Sequence, residues 1–425
     1  MRILSGYTRK LLECGRPMVL AAFFTCPKYF LTKEDPQRHT FRLFLAALTL
    51  SEVKLKVLIL LLGYCLWGQG PLEAQVKPSS PRDRTQVNRR MSREVKPRNV
   101  ILMIGDGMGL AQITAGMYAN GNRIALEKFP VVGLVKTASA RDLITDSAAG
   151  ATAYACGQKT YNRAIAVDTN RRPLRTILEL LEEEGYSTGL IATSSITDAT
   201  PAAFYAHQPD RKMQEEIAND MLKVRVEVFA GGGRRYFEAR SDGRNLLEAF
   251  RIMGYDVYTD WRQALGSRAD RLVCLAAEDG LPRVSEGRGP FLPEFTVKSL
   301  EILNRNPKGF FLMVEGSQID WGGHANDDQY IISEMLDFND AIENVLDFAM
   351  KDGQTLVVVT ADHETGGFGL TKGNLKGENI GGEFVTKDHT FCMVPVFAYG
   401  PGADKFSGIM ENTEIYHRIR KLLKL

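Results

Sequence analysis

From residue 99 to the C-terminus, the sequence predicts an α/β fold: a doubly wound, largely parallel central sheet with helices on both faces and a small inserted surface subdomain. Three observations carry this expectation. Seven apolar runs of strand length recur along this part of the chain, and segments of helical length and pattern separate them. The runs are apolar throughout, as strands are when both faces of a sheet are covered, rather than alternating as in a half-exposed antiparallel sheet. A length of 425 residues suits one large domain or two smaller ones. With 44% hydrophobic and 24% charged residues, the chain has material for a sizeable core.

Taken in order, residues 1–76 read as an N-terminal extension with a signal-like segment at about 53–74. The apolar run Val57–Leu66 follows Lys54 and Lys56 and is too short to span a bilayer. About fifty residues precede it, so translation is expected to start near Val53 rather than Met1; an uncleaved anchor on a genuine extension is the alternative. Residues 77–98 hold eight Lys/Arg against two Asp/Glu, with Pro78, Pro81 and Pro97, and read as a basic flexible linker. The remainder, 99–425, holds 35 Lys/Arg against 44 Asp/Glu, so an acidic body hides behind the overall charge of +2. That balance offers no nucleic-acid groove.

Strands are expected at Val100–Ile104, Val131–Val135, Thr188–Ala192, Val226–Ala230, Phe310–Val314, Leu356–Val359 and Val394–Ala398. Helices are expected at Leu174–Glu184, Asn245–Met253, Glu294–Leu303 and Tyr330–Met350. Residues 367–390, rich in Gly, Lys and polar residues, read as the inserted subdomain. Beyond residue 76 only Cys156, Cys274 and Cys392 remain, which permit one disulfide at most and match no thiolate metal pattern.

Acids follow these strands closely. Asp106 comes two residues after Ile104, Asp198 and Thr200 follow the 188–192 run, Glu315 follows Val314, and Asp362-His363 follow Val359. In parallel α/β sheets ligands bind beyond the carboxyl ends of the strands, so one edge of the sheet receives acids from four strands. One such acid is usually a cap or turn residue; four, joined by Asp320-x-x-x-His324 and Asp388-His389, point instead to metal ligation. Ser147 opens a small-residue helix at Asp146-Ser147-Ala148-Ala149. Read locally, Asp146 and Ser147 are helix caps. A serine at a helix N-terminus beside a metal is also placed to ionise and attack phosphorus. The run Gly105-Asp106-Gly107-Met108-Gly109 lacks the Gly-Lys-Ser/Thr of a P-loop, and its glycines read as a tight turn at Asp106.

The runs 104–109, Thr145–Ala149, Asp198–Ala203, Glu315–Asp320 with His324, and Thr360–Gly367 together resemble alkaline phosphatase, in the family's order and across 99–425. The resemblance implies hydrolysis of phosphate monoesters, with Ser147 as the nucleophile that becomes phosphoserine. Two zinc ions and a third ion, usually magnesium, are implied. Asp320, His324 and His389 correspond to the ligands of one zinc. Asp106, Asp362 and His363, with Ser147, correspond to those of the second. Asp106, Thr200 and Glu315 correspond to the third-ion set, and Arg211 to the arginine that clamps phosphate. A homodimer exported to the periplasm or beyond is also implied, with membrane contact only through an uncleaved signal.

Asp198 keeps an acidic residue near the third ion, while Trp321 stands where several bacterial members carry a lysine, which unsettles that ion's identity. A phosphodiesterase or sulfatase of the same superfamily is the first rival. Such enzymes usually place threonine or a modified cysteine at the Ser147 position and lack the Thr200 and Glu315 pair. A non-catalytic zinc or phosphate binder is the second, and would be expected to have lost Ser147 or a ligand.

Overall fold

The computed structural model describes residues 96–425. The signal-like segment and all but the last residues of the basic linker lie outside the described residues. Fourteen strands are described: β1 (Asn99–Gly105), β2 (Val131–Lys136), β3 (Ser187–Ser195), β4 (Val228–Gly232), β5 (Asp256–Tyr258), β6 (Leu272–Leu275), β7 (Phe310–Gly316), β8 (Thr355–Thr360), β9 (Glu364–Thr365), β10 (Gly369–Lys372), β11 (Gly381–Glu383), β12 (His389–Thr390), β13 (Val394–Tyr399) and β14 (Gly408–Glu411). Ten form one sheet in the order β14-β2-β13-β8-β1-β7-β3-β4-β6-β5. Every neighbouring pair is parallel except those of β13, which runs antiparallel to both β2 and β8. The fold is therefore a mixed α/β architecture with a large, mostly parallel sheet and helices packed around it.

All seven expected strands are present, the fourth shifted to Val228–Gly232. Strands β5, β6 and β14 escape sequence reasoning because they are three or four residues long and two of them lie at the sheet's edges. The four expected helices appear as Ile177–Glu183, Leu246–Ile252, Phe291–Leu303 and Asp328–Asp352. The first begins with a capping box: Glu179 N donates to Thr176 Oγ1 (3.1 Å), and Thr176 N donates back to Glu179 Oε2 (2.9 Å). The central strands are sealed, with Ile101, Leu102, Val314, Val357 and Val358 all fully buried. Each such side chain contributes about 1.5–3 kcal/mol of burial energy.

Strand register places the chemistry. Ile104 of β1 pairs with Glu315 of β7 on one side and with Thr360 of β8 on the other. Asp106, Glu315 and Asp362 therefore emerge at the carboxyl ends of three adjacent strands. Between β8 and β13, where the inserted subdomain is expected, the chain makes two small antiparallel pairs, β10 with β11 and β9 with β12. Phe368 and Phe384 stack across this segment at 4.6 Å. Cys156, Cys274 and Cys392 are all free thiols. No helix among the described residues is long and apolar enough to cross a membrane.

Candidate active site

Ser147 is the first residue of a ten-residue helix, Ser147–Cys156, that is buried along its whole length. Asp146 caps it by accepting from Ala149 N at 3.0 Å. The small residues have a local reason: a Cβ on Gly150 would lie 3.2 Å from both the Cβ and the carbonyl oxygen of Asp362. The helix can thus bring its positive N-terminus against the end of β8. Ser147 Oγ lies 3.2 Å from His363 Nε2, which also lies 3.3 Å from Asp106 Oδ1 and 3.2 Å from Asp362 Oδ2.

A second group adjoins the first. His324 Nε2 lies 3.4 Å from Asp320 Oδ2, His389 Nε2 lies 3.6 Å from Asp320 Oδ1, and the two Nε2 atoms are 3.1 Å apart. Asp320 serves both groups, since it also offers an oxygen to a cluster with Asp106 and His363. The helix Gln318–Ala325 explains the first pairing, because Asp320 and His324 are four residues apart on one helical face.

The histidine tautomers follow from their outer nitrogens. His389 Nδ1 faces Thr145 O at 2.9 Å, His324 Nδ1 faces Lys387 O at 2.5 Å, and His363 Nδ1 faces Thr365 Oγ1 at 3.2 Å. Each Nδ1 thus donates outward, and each Nε2 turns a lone pair inward, toward other lone pairs and carboxylate oxygens. Asp106 Oδ1, Asp362 Oδ2 and Thr200 Oγ1 are buried without a hydrogen-bond partner. Such an arrangement is unfavourable unless cations fill it. Donor atoms 2.0–2.2 Å from a tetrahedral ion lie about 3.3–3.6 Å apart, close to the separations found here. The residues present fit two zinc-sized ions on imidazole and carboxylate ligands.

The electrostatics agree. Burial, then the charges of Asp362, Asp320 and Glu315, drive Asp106 far above the usual carboxylate range. Burial and Asp320 push Asp362 up to about 7. Burial, with Asp198 and Asp362, pushes Glu315 up to about 8. Burial, His389 and Arg211 hold His363 well below the ordinary imidazole value. So much crowded negative charge requires compensating positive charge in order to ionise at neutral pH.

Glu315 accepts from Ser194 Oγ at 3.3 Å and lies against Thr200, in the short helix Ala199–Ala202. Asp198 caps that helix through Ala199 N at 2.7 Å. Arg211 bridges two acids: Nη2 donates to Asp198 Oδ1 at 2.9 Å and Nη1 to Asp146 Oδ2 at 3.3 Å. Burial works against its charge, but Asp198 and Asp146 more than compensate and hold the guanidinium protonated. One quarter of the side chain remains open to solvent. The Trp321 ring lies against Gly280, where a Cβ would come within 2.3 Å of it.

The site roles of two neighbours escape sequence reasoning. Thr365 Oγ1 donates to Asp320 Oδ1 while facing His363 Nδ1, which links the two groups through one hydroxyl. Its only sequence signal is adjacency to Asp362-His363. Gly107, at φ 69°, makes room for it: a Cβ there would lie 2.7 Å from Thr365 Oγ1 and 2.8 Å from Asp320 Cα. Asp146, legible as a cap, is also a partner of Arg211.

The family model of alkaline phosphatase matches residues 97–385. The chain belongs to the alkaline phosphatase family. It is 38% identical over 412 residues to alkaline phosphatase 4 of Bacillus subtilis, covering 77% of this chain and 89% of that protein. Against Escherichia coli alkaline phosphatase it is 31% identical over 422 residues, covering 81% and 89%. The solved alkaline phosphatase of the Antarctic bacterium TAB5 superposes with a TM-score of 0.73 at 45% identity, covering 77% of this chain and 98% of that one. As a member of the family the chain is an enzyme, a phosphoric monoester hydrolase, with candidate metal-binding groups beyond the carboxyl ends of the central strands.

Proposed function

We propose that the chain hydrolyses phosphate monoesters to alcohol and inorganic phosphate through a phosphoserine on Ser147. The observation that carries the reading is the convergence of three inward-facing Nε2 atoms with Asp106, Asp320 and Asp362 beside Ser147 Oγ. Asp320, His324 and His389 would hold one zinc; Asp106, Asp362, His363 and Ser147 Oγ would hold the second. Asp106, Thr200 and Glu315 would hold magnesium, near Asp198. A structure of a TAB5 alkaline phosphatase mutant is described with Mg bound in its M3 site, which lends support to magnesium. When bound, such ions supply the positive charge that stabilises a serine alkoxide and a departing alkoxide.

The chain's own residues do the rest. Arg211 binds and orients the phosphoryl group through its planar fork. Ser147 Oγ forms a bond to phosphorus as the ester P–O bond breaks and the alcohol leaves. Water then attacks the phosphoserine phosphorus as the Oγ–P bond breaks, a proton from the water restores the Ser147 hydroxyl, and inorganic phosphate is released. Positioning and charge stabilisation dominate such transfers.

The 3.2 Å contact between Ser147 and His363 admits a second reading, a metal-independent serine–histidine pair. That reading lacks an orienting acid, since His363 Nδ1 meets Thr365 rather than a carboxylate. Elemental analysis alongside paired monoester and diester assays decides between them. Monoesterase activity that tracks metal content supports the proposal, whereas undiminished activity without metal, or a preference for diesters, overturns it.

We further propose export to the periplasm or beyond, and a homodimer, with 99–425 as the catalytic domain. N-terminal sequencing of secreted protein should start between about Gln69 and Lys77, near the end of the signal-like segment. A chain starting at Met1, or a monomeric mass in solution, would overturn the corresponding part.

A further inference from the structure

We propose that Glu364 is a positioning residue. Its buried carboxylate fastens the strand that carries His389 to the segment that carries His363 and to the helix following the Asp106 loop, and so sets the spacing of the Asp320–His324–His389 group. The inference rests on the reading of that group as an ion site.

Glu364 is buried, and among the described residues it forms no ion pair. It accepts instead from four neutral donors. Oε1 takes Gln112 Nε2 at 2.9 Å and Phe368 N at 3.2 Å; Oε2 takes Gly367 N at 3.2 Å and Thr390 Oγ1 at 2.5 Å. A buried carboxylate is costly to desolvate unless its oxygens are satisfied, and here they are. The choice of Glu over Gln follows from the donors: all four point inward, and only a carboxylate presents acceptors on both oxygens. The amide nitrogen of a glutamine would face other N–H or O–H groups.

Gly109 supplies an independent observation. Its backbone, at φ −83° and ψ −179°, is open to any residue, so no turn requires glycine there. A Cβ at that position would lie 2.5 Å from Glu364 Cγ and 2.9 Å from Gln112 Oε1. The last glycine of the 105–109 run therefore exists to admit the Glu364–Gln112 pair. The loop that presents Asp106 is thereby packed against the segment that follows His363.

His389 is the ligand most in need of such a brace. It returns at the end of the 367–390 segment on a strand that pairs for two residues only, His389 with Thr365 and Thr390 with Glu364. A ladder that short holds little by itself. The side-chain bond from Thr390 to Glu364 lies beside His389 in this pairing, and Gln112 adds a bond to Thr365 O at 2.9 Å.

The test uses the full-length zinc-loaded enzyme, with E364Q, T390V and H389A compared to the parent. Zinc per chain is measured by elemental analysis, and zinc retention by competition with a chromophoric chelator. In E364Q one of the two zinc equivalents should pass to the chelator at about 10-fold lower chelator concentration, with the other held as in the parent, a loss typical of groups that orient ligands. T390V should move in the same direction by less, and it decides the matter if E364Q does not fold. A carboxylate that served only the fold would lower thermal stability and leave both zinc equivalents equally held. Parental retention of both zincs in E364Q and T390V, with H389A losing one, would overturn this inference alone. Retention of both zincs by H389A would overturn the ion-site reading beneath it.

Discussion

Consider Arg211 replaced by alanine. The guanidinium is held between Asp198 at 2.9 Å and Asp146 at 3.3 Å, with a quarter of the side chain open to solvent. It is preorganised by two acids that do not take part in the transfer itself. In the proposed mechanism its outer N–H groups bind two phosphate oxygens. Charge-assisted hydrogen bonds are worth about 1.5–3 kcal/mol each before compensation. Alanine removes them and also leaves Asp146 and Asp198 un-neutralised beside an anionic ligand. Positive charge at the histidine groups offsets part of the loss. We expect a net penalty of about 1.4–2.8 kcal/mol, which corresponds to a 10- to 100-fold rise in the inhibition constant for inorganic phosphate. Lysine restores a point charge but cannot reach both acids and the phosphate as a planar fork does, so Arg211→Lys should fall between parent and alanine. The assay is competitive inhibition of a chromogenic aryl phosphate by phosphate, with KM determined alongside. Unchanged inhibition and KM in Arg211→Ala would show that another cation binds the phosphate.

Ser147→Ala should lower turnover by several orders of magnitude, far more than Arg211→Ala, and keep the fold, because alanine suits a helix; phosphate trapped at mildly acidic pH on any residue other than Ser147 in the parent would refute the assignment. Stripping with a chelator should abolish activity, and zinc with magnesium should restore it; full activity at under one metal per chain contradicts this. A pH dependence is expected from His207, whose ring nitrogens face Ala166 O at 3.0 Å and Glu179 Oε1 at 2.9 Å, and whose backbone N–H meets Asp220 Oδ2 at 3.0 Å. Burial opposes its charge, but Glu179 and the Ala166 carbonyl raise its pKa above the ordinary value. Burial likewise opposes ionisation of Glu179, but His207 and the Thr176 N–H hold it below its ordinary value. The His207 contribution is therefore full below its unfolded pKa of about 6.5 and disappears as pH rises through the higher folded value. The Glu179 contribution is present above about 4.3 and disappears as pH falls through its lower folded value. His207→Gln should thus lower the urea midpoint most near pH 5.5 and least near pH 9, and an equal loss at both pH values would refute the pairing.

How much of this site the sequence discloses depends on whether a residue's role is set by the strand that carries it. Asp106, Glu315 and Asp362 are legible because parallel strands end on one side of the sheet, and the pairing of Ile104 with both Glu315 and Thr360 turns that rule into proximity. Asp320 and His324 are legible as a pair because helical spacing joins them. Their place beside Asp106 is not, since it depends on where the Gln318–Ala325 helix starts after β7. Arg211 is named in the sequence only through resemblance, because a loop delivers it and loops carry no period. Thr200 and His389 are visible beside acids, but which ion each would serve comes only from resemblance, since a four-residue helix and a two-residue strand are too short to show a period. Thr365, Glu364 and the second role of Asp146 are the least visible, since a hydroxyl or carboxylate orienting another side chain has no spacing rule. The glycines mark where such contacts occur. Gly107 is needed because its φ is positive and Thr365 and Asp320 lie within 3 Å of where its Cβ would be; Gly109 is needed only for its crowding by Glu364 and Gln112; Gly150 lets the Ser147 helix meet Asp362. In the sequence all three read as turn or small-helix residues. In the fold each marks a point where a segment bearing a candidate ligand or nucleophile comes close to another. Enlarging any of them should therefore disturb ion binding before it unfolds the sheet, whose central strands are fully buried away from these contacts.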